Sequence, residues 1–400
     1  MFKRINPVLI ICFLCYGFTG ATVIVTGVVL GDLAKYFGLP AAEMGMIFTW
    51  LNSGILLATT ANIFLLKKTG AKKQFIFMGV LLLLALWLLF ADHDLTRFSF
   101  GMLLLGVSSG ITMSVGTSLI ANMYEGRMRA SRLLLTDSFF SMAGTLFPML
   151  AGYILVRNQP WQWIYAAIIA MGVVIILLSL VANFAAAVKK PAVAAAATTG
   201  VTRGDKWGPG VYLISTAAFA YILGQLGLMA WIPQSVMERF NVTIADAGAT
   251  VGHFWTAYMV GMWCFSVILK YLRPIVVLIP QTALSSLLIY LSITSDNFEV
   301  ANYALIAAGF ISSGIYTTLI TLGTLQVRSA SPSLVNFILT CGTVGTMLTF
   351  VVTGPMVGSI GVEKTLWFLN GLYAYVFVIS ALTTLLKSKT PAVQGSSIGH

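Results

Sequence analysis

The stretch PVLIICFLCYGFTGATVIVTGVVL, residues 7–30, carries no charged side chain, and its only hydroxyls are those of Tyr16, Thr19, Thr22 and Thr26. As a helix it extends about 36 Å, enough to cross a hydrocarbon layer of roughly 30 Å. It is longer than the core of a signal peptide and no convincing cleavage site follows, so it reads as a retained first membrane span. Helix is the forced conformation in such a place, because lipid offers the backbone no hydrogen-bond partners.

The pattern recurs along the chain. Of 400 residues, 58% are hydrophobic and 9% are charged, too few polar groups to cover a soluble domain of that size. Apolar runs predict twelve spans, at 6–31, 43–66, 75–91, 97–122, 132–156, 161–185, 208–233, 246–270, 274–293, 300–325, 332–358 and 363–386. The third and ninth are short and the eleventh is long. The fold expected is an all-α membrane protein, with twelve transmembrane helices in two pseudo-symmetric six-helix bundles.

The net charge of +11 raises nucleic acid as a partner, but the basic residues sit in short connections between apolar runs and form no basic domain. They report topology instead. With the N terminus in the cytoplasm, only Lys35, Arg97, Arg157, Arg239 and Lys364 fall on the opposite side, and the other 18 of 23 basic residues are cytoplasmic. That asymmetry selects cytoplasmic N and C termini in a bacterial inner membrane. Cys12, Cys15, Cys264 and Cys341 lie inside predicted spans. The C-x-x-C spacing of the first two has no further Cys or His beside it, so no metal or cofactor is expected.

Residues 1–185 and 208–387 form the two expected halves. An Ala- and Thr-rich cytoplasmic linker joins them at 186–207, and a polar tail follows at 388–400. The halves match at a displacement of 203 to 204 residues. YFGLPAAEMG (36–45) resembles RFNVTIADAG (239–248), and SSGI (108–111) recurs at 312–315. Their common displacement points to an internal duplication. Repeats of this kind place a solute site near the bilayer midplane between the halves.

Several segments identify a family: TGATVIVTG (19–27), SGITMSVGT (109–117), MYEGR (123–127), TDSFFSMAG (136–144), YILGQLG (221–227) and VNFILTCGTVGTMLTFVVTGP (335–355). On these the chain resembles the major facilitator superfamily, and within it the TsgA-like transporters related to the fucose:proton symporter group. The resemblance covers nearly the whole chain. It implies a secondary transporter working by alternating access, with proton symport of a sugar or related organic metabolite as the model. Two departures stand out. The superfamily's loop after the second span carries a Gly, an Asp-Arg pair and a further Gly before basic residues. Here Ile63, Lys67-Lys68, Gly70 and Lys72-Lys73 occupy those places. Fucose-type symporters also have carboxylates in the first and fourth spans, where this chain has Gly27 and Met113.

Asp137 is therefore the expected proton-coupling residue. It lies inside the fifth span, where a carboxylate is costly unless it faces a wet cavity or a partner. The competing role is an ion pair with Arg132 that fastens the span. Ser141 follows Asp137 on the same helical face. Tyr316 and Thr317 on the tenth span, and Asn336 and Thr340 on the eleventh, belong to polar stripes able to hydrogen-bond a solute, although Ser and Thr also bond their own helices. Tyr221 and Gln225 on the seventh span serve solute contact or interhelical packing equally well, and so do Asn52 and Asn370. His253 and Trp255 offer a titratable ring and a stacking surface, or else a hydrogen-bonded histidine and an interfacial anchor. Glu125, Arg127, Arg129 and Arg132 form a candidate cytoplasmic gate, against plain anchoring by positive charge.

An efflux transporter for toxic or hydrophobic compounds, and a transporter-like receptor or scaffold, are the alternatives. An enzyme is not expected, since no nucleophile–base pair or phosphate-binding loop is present. The expected partners are a small-molecule substrate, protons and the lipid bilayer, with the protein a monomer. On the topology read here, alkaline phosphatase fused after His400 stays inactive in cells, whereas the same enzyme inserted at 157–160 is active. The reverse pattern overturns the orientation.

Overall fold

The computed structural model describes residues 7–90, 94–124, 126–184, 207–269, 271–324, 326 and 332–388. Every regular element among them is helical. Twelve helical segments are long and apolar enough to cross a membrane: Pro7–Phe37, Ala41–Asn62, Lys68–Phe90, Leu95–Ile120, Leu135–Val156, Gln162–Val181, Pro209–Phe240, Ile244–Ile268, Pro274–Thr294, Phe298–Gly323, Phe337–Ile360 and Val362–Thr383. They are called spans 1 to 12 below. The linker and the tail lie outside the described residues.

Three boundaries differ from the sequence reading. Span 3 starts at Lys68, seven residues early, because spans 2 and 3 belong to one helix, Thr49–Phe90, broken only at Gly70. Gly70 has φ 75° and ψ 163°, a conformation open to glycine and strained for residues with a Cβ. The basic run expected as a loop is thus mostly helical. Lys72 Nζ donates to the Leu180 carbonyl at 2.9 Å, where the end of span 6 presents unpaired carbonyls to a cation. The helix carrying span 5 begins at Gly126, so Arg127, Arg129 and Arg132 lie on its first turns and not in a connection. Span 7 continues to Phe240, through Pro233.

The duplication is visible in the backbone. The helix of span 1 ends at Phe37, with Gly38 left-handed at φ 67°. The helix of span 7 ends at Phe240, with Asn241 left-handed at φ 53°. Both residues supply the positive-φ stop that ends a helix. The second repeated segment has diverged. Ser108–Ile111 lies within a continuous helix, while at 312–315 the helix of span 10 ends at Ser312 and restarts at Ile315.

Spans 1–6 pack on one another, as do spans 7–12. The two sets meet along three seams, span 5 on span 8, span 2 on span 11 and span 1 on span 7. Small residues line them: Gly152 approaches Ala245, Gly248 approaches Pro148, and Gly45 approaches Trp231 and Phe350. At Gly27 a Cβ would stand 2.7 Å from the Ala230 carbonyl oxygen and 2.8 Å from the Met229 carbonyl oxygen. Only glycine fits there, which explains why this position has no carboxylate. With twelve spans both chain ends lie on one face, and the close contacts across the seams run from mid-bundle to the other face. Among the described residues, the molecule is closed on that far face.

Gly27→Val should force spans 1 and 7 apart. Overpacking of this kind costs about 1 to 3 kcal/mol, enough to raise the population opened at the far face by about fivefold or more. A cysteine at Thr349, buried beside this seam, in a background lacking the four native cysteines, should react correspondingly faster with an impermeant maleimide. An unchanged rate refutes the closure described.

Candidate functional site

The innermost contacts of the span 5 and span 8 seam define where the opening begins. Thr145 and Thr256 share a hydrogen bond of 2.9 Å, and one turn further toward the termini the Ser141 hydroxyl points to the Met262 sulfur at 3.9 Å. Asp137 follows Ser141 by another turn, just beyond the last seam contact. It is half-buried and stands three turns inside its helix, which starts at Gly126. Three tyrosines from other spans lie within electrostatic reach of its carboxylate: Tyr16 of span 1, Tyr258 of span 8 and Tyr316 of span 10.

Among the described residues the alternative role, an ion pair of Asp137 with Arg132 or another cation, is not formed. Five helical residues turn the two side chains to different faces, and the Arg132 guanidinium lies over the Tyr124 ring, 5.5 Å from its centroid. The ion pair formed among the described residues joins Arg97 to Asp94, at the start of span 4. Glu125 lies outside the described residues, and the side chains of Arg127 and Arg129 are likewise not described, so Arg132 is the gate candidate with a defined surrounding.

Around Asp137 the two halves contribute a set of hydroxyls and rings. The Tyr16 hydroxyl shares a hydrogen bond of 2.7 Å with Thr117 of span 4. That places the Thr117 face of span 4 toward the interior. On the other side Tyr258 neighbours Tyr221 and Gln225 of span 7. Tyr221 donates to the Ser312 carbonyl at 2.8 Å, satisfying a backbone group beside the break in span 10. Its ring meets Tyr373 edge-on at 5.5 Å. Gln225 is 3% exposed, and its side-chain amide lies against the Tyr258 hydroxyl in the membrane interior. Tyr316 packs over Gly342, and Thr317 is half-buried beside it.

Other expected residues go elsewhere. Trp255 is 2% exposed and is not an interfacial anchor. It packs on Phe140 at 5.8 Å and on Tyr258 at 5.2 Å, as a wall of the seam behind Asp137. His253 is half-buried with Nδ1 unpartnered, and lies nearer the closed face than Tyr258. Asn52 donates to the Thr346 carbonyl at 3.0 Å and so ties span 2 to span 11. It also borders a void of about 20 Å³, room for about one water. Asn370 accepts a hydrogen bond from Ser286 at 3.1 Å in a groove between spans 9 and 12, away from the tyrosines. Thr340 is exposed, and the Asn336 side chain is not described.

Tyr16, Thr117, Tyr258 and Met262 were not singled out from sequence. A signal existed for the tyrosines: a phenol far from both ends of a span is costly unless its hydroxyl finds a partner.

A family model described as Major Facilitator Superfamily matches residues 12–330. A "Protein TsgA homolog" of Erwinia tasmaniensis is 50% identical over 372 residues, covering 93% of each chain. Its counterpart in Yersinia pestis (strain Pestoides F) is 49% identical, over 92% of this chain and 93% of the relative. Among solved structures, a bacterial homologue of the human lysosomal transporter Spinster, inward-facing and unoccupied, superposes with a TM-score of 0.73 at 14% identity. The superposition covers 96% of this chain and 98% of that one. A single-substitution variant of the E. coli fucose:proton symporter FucP gives a TM-score of 0.60 at 15% identity, over 95% and 99% of the two chains.

If Trp255 is a buried wall, Trp255→Ala leaves a cavity. The protein should lose about 3 to 5 kcal/mol of stability, seen as a marked drop in its melting temperature in detergent. A shift no larger than that of an exposed interfacial residue would contradict the placement.

Proposed function

This chain belongs to the major facilitator superfamily, in its TsgA-like branch, and from that premise we propose that it moves a small polar solute by alternating access, with Asp137 carrying the coupling proton. It is a multi-pass membrane transporter and not an enzyme. The observation that carries the coupling role is the position of Asp137: one turn beyond the innermost seam contact, half-buried, with no ion-pair partner among the described residues.

The physical link between protonation and movement is desolvation. While the molecule is open toward its termini, water reaches Asp137 and the ionised form is solvated. Opening the far face requires the near face to close, which removes that water. An unpaired carboxylate then loses its solvation, at a cost of several kcal/mol, whereas its protonated form does not. Closure is thereby tied to neutralisation of this group, and the proton bound on one face is released on the other.

The solute is held, on this reading, by Tyr16, Tyr258, Tyr316 and Gln225, with Tyr221 ordering the cluster from behind. Pockets of this kind bind by an apolar wall and a few convergent polar groups, and the buried Gln225 amide beside Tyr258 is one such group. Asn370 has no part in it. The cytoplasmic side is assigned to the face of the termini, from the distribution of basic residues. The molecule then opens inward, and Arg132 stands at the mouth of the cavity.

Purified protein in vesicles with an imposed pH gradient should accumulate its solute, and the solute should trigger proton movement. Asp137→Asn should lower gradient-driven accumulation by at least about tenfold, since one protonation event worth several kcal/mol is removed from the cycle. It should also flatten the pH dependence of what remains. Unchanged accumulation in this variant eliminates the coupling role. Solute binding without uptake or counterflow would instead mark a receptor.

A further inference from the structure

We propose that the solute is an organic cation, and that it exchanges with a proton at the Asp137 carboxylate; this rests on the reading that Asp137 carries the coupling proton. The first support is the distribution of charge. Asp32, Glu43, Asp94, Glu238, Asp246, Asp296, Glu299 and Glu363 all lie in connections or within two turns of a helix end. Among the described acidic residues Asp137 alone stands deeper. No described lysine or arginine faces it: Arg132 points to Tyr124, and the others lie near helix ends or in connections. A cavity with one anionic group and no facing cation repels anions and attracts cations.

The second support is what surrounds the carboxylate. Span 1 presents Tyr16, with Cys12 and Cys15 behind it; span 8 presents Tyr258, with His253 farther toward the closed face; span 10 presents Tyr316. Span 4 contributes Thr117, whose hydroxyl shares a hydrogen bond with Tyr16. The tyrosines and cysteines of this set are neutral near pH 7 by their ordinary titration ranges. Phe13 stacks on Phe139 at 4.3 Å beside Asp137, and Phe140 meets Trp255. Rings present electron-rich faces that attract organic cations, while a strongly hydrated inorganic ion gains less from them.

The third support is the return step. Symport of a neutral solute requires the empty, ionised carrier to close over Asp137, the form that geometry penalises. Exchange never uses that form. Either a proton or a cation neutralises the carboxylate whenever the cavity closes, and the two cannot occupy it together. When a monovalent cation binds, the O–H bond of the carboxylic acid breaks, the proton leaves to water, and the cation takes its place beside the carboxylate. The net charge of the site is unchanged, so the exchange is electroneutral.

The test uses the full chain in vesicles with an acidic lumen and a trapped pH dye. Benzyltrimethylammonium is the probe, because its fixed charge prevents it from carrying protons itself, and L-fucose is the neutral comparison. The expected result is protein-dependent, saturable alkalinisation of the lumen on adding benzyltrimethylammonium and none with L-fucose. The rate should not respond to a potential set by potassium and valinomycin. Asp137→Asn should abolish it, while Asp137→Glu, checked with the Asn variant for an unaltered melting temperature, should retain part of it. In detergent, the affinity for the probe should weaken by up to tenfold per unit fall in pH. No proton movement with the probe overturns the inference. Proton movement with L-fucose alone, lost in Asp137→Asn, overturns it while leaving the coupling role intact. Probe-driven movement that survives in Asp137→Asn overturns both.

Discussion

The packing of span 5 against span 8 is the contact on which the rest of the molecule depends. Between lipid-embedded helices there is little hydrophobic gain from association, so affinity comes from close backbone approach and a few hydrogen bonds. Gly152 against Ala245, Gly248 against Pro148 and the Thr145–Thr256 bond supply both. The seam is zipped from the far face to mid-bundle and stops at Ser141 and Met262. The position of the last small residue in the zipper therefore sets the depth to which water penetrates, and Asp137 is the next residue on that helical face.

On the coupling role proposed for Asp137, that placement makes neutralisation of its carboxylate the condition for closing the near face. A carboxylate facing water keeps its hydration. The same group enclosed between spans 5, 8 and 10 is surrounded by phenols and thiols, which do not compensate a full charge. The carboxylate positions of fucose-type symporters are vacant for specific reasons. Gly27 is pressed against the span 7 backbone, where no side chain fits, and Met113 is an exposed residue of span 4.

Much of the architecture was legible in the sequence because membrane insertion is decided by run length and charge. The twelve spans, and the repeat that places Gly38 and Asn241 at matching helix ends, followed from those signals. Boundaries failed where hydropathy and helicity part company. The basic stretch Lys67–Lys73, helical on both sides of the break at Gly70, and the helical turns at Arg127–Arg132 are polar yet helical, since at the membrane surface a helix does not need apolar residues. Asp137 was legible because an intramembrane carboxylate is rare. Its tyrosine partners were not, because Tyr16 and Tyr258 come from spans 1 and 8, and only the tertiary arrangement brings them together. Trp255 was misplaced for a related reason. A tryptophan about three turns from a helix end is compatible with an interfacial belt or a buried wall, and the glycine opposite it, Gly144, is invisible to any local pattern.

The seam must also be able to part. Across the two halves the described polar contacts are Asn52 to Thr346, Thr145 with Thr256, and Ser141 to Met262, with no ion pair among the described residues bridging them. Each joins neutral groups, and neutral hydrogen bonds contribute about 1 kcal/mol apiece once exchanged against water. Opening the far face admits water that replaces these bonds, so the net loss is small. A seam built from buried ion pairs would release two charges and fix one state more firmly. With the neutral contacts exchangeable, the largest state-dependent term left is the charge on Asp137. On the coupling role proposed for Asp137, a seam this weak leaves directionality to the one group whose neutralisation precedes closure.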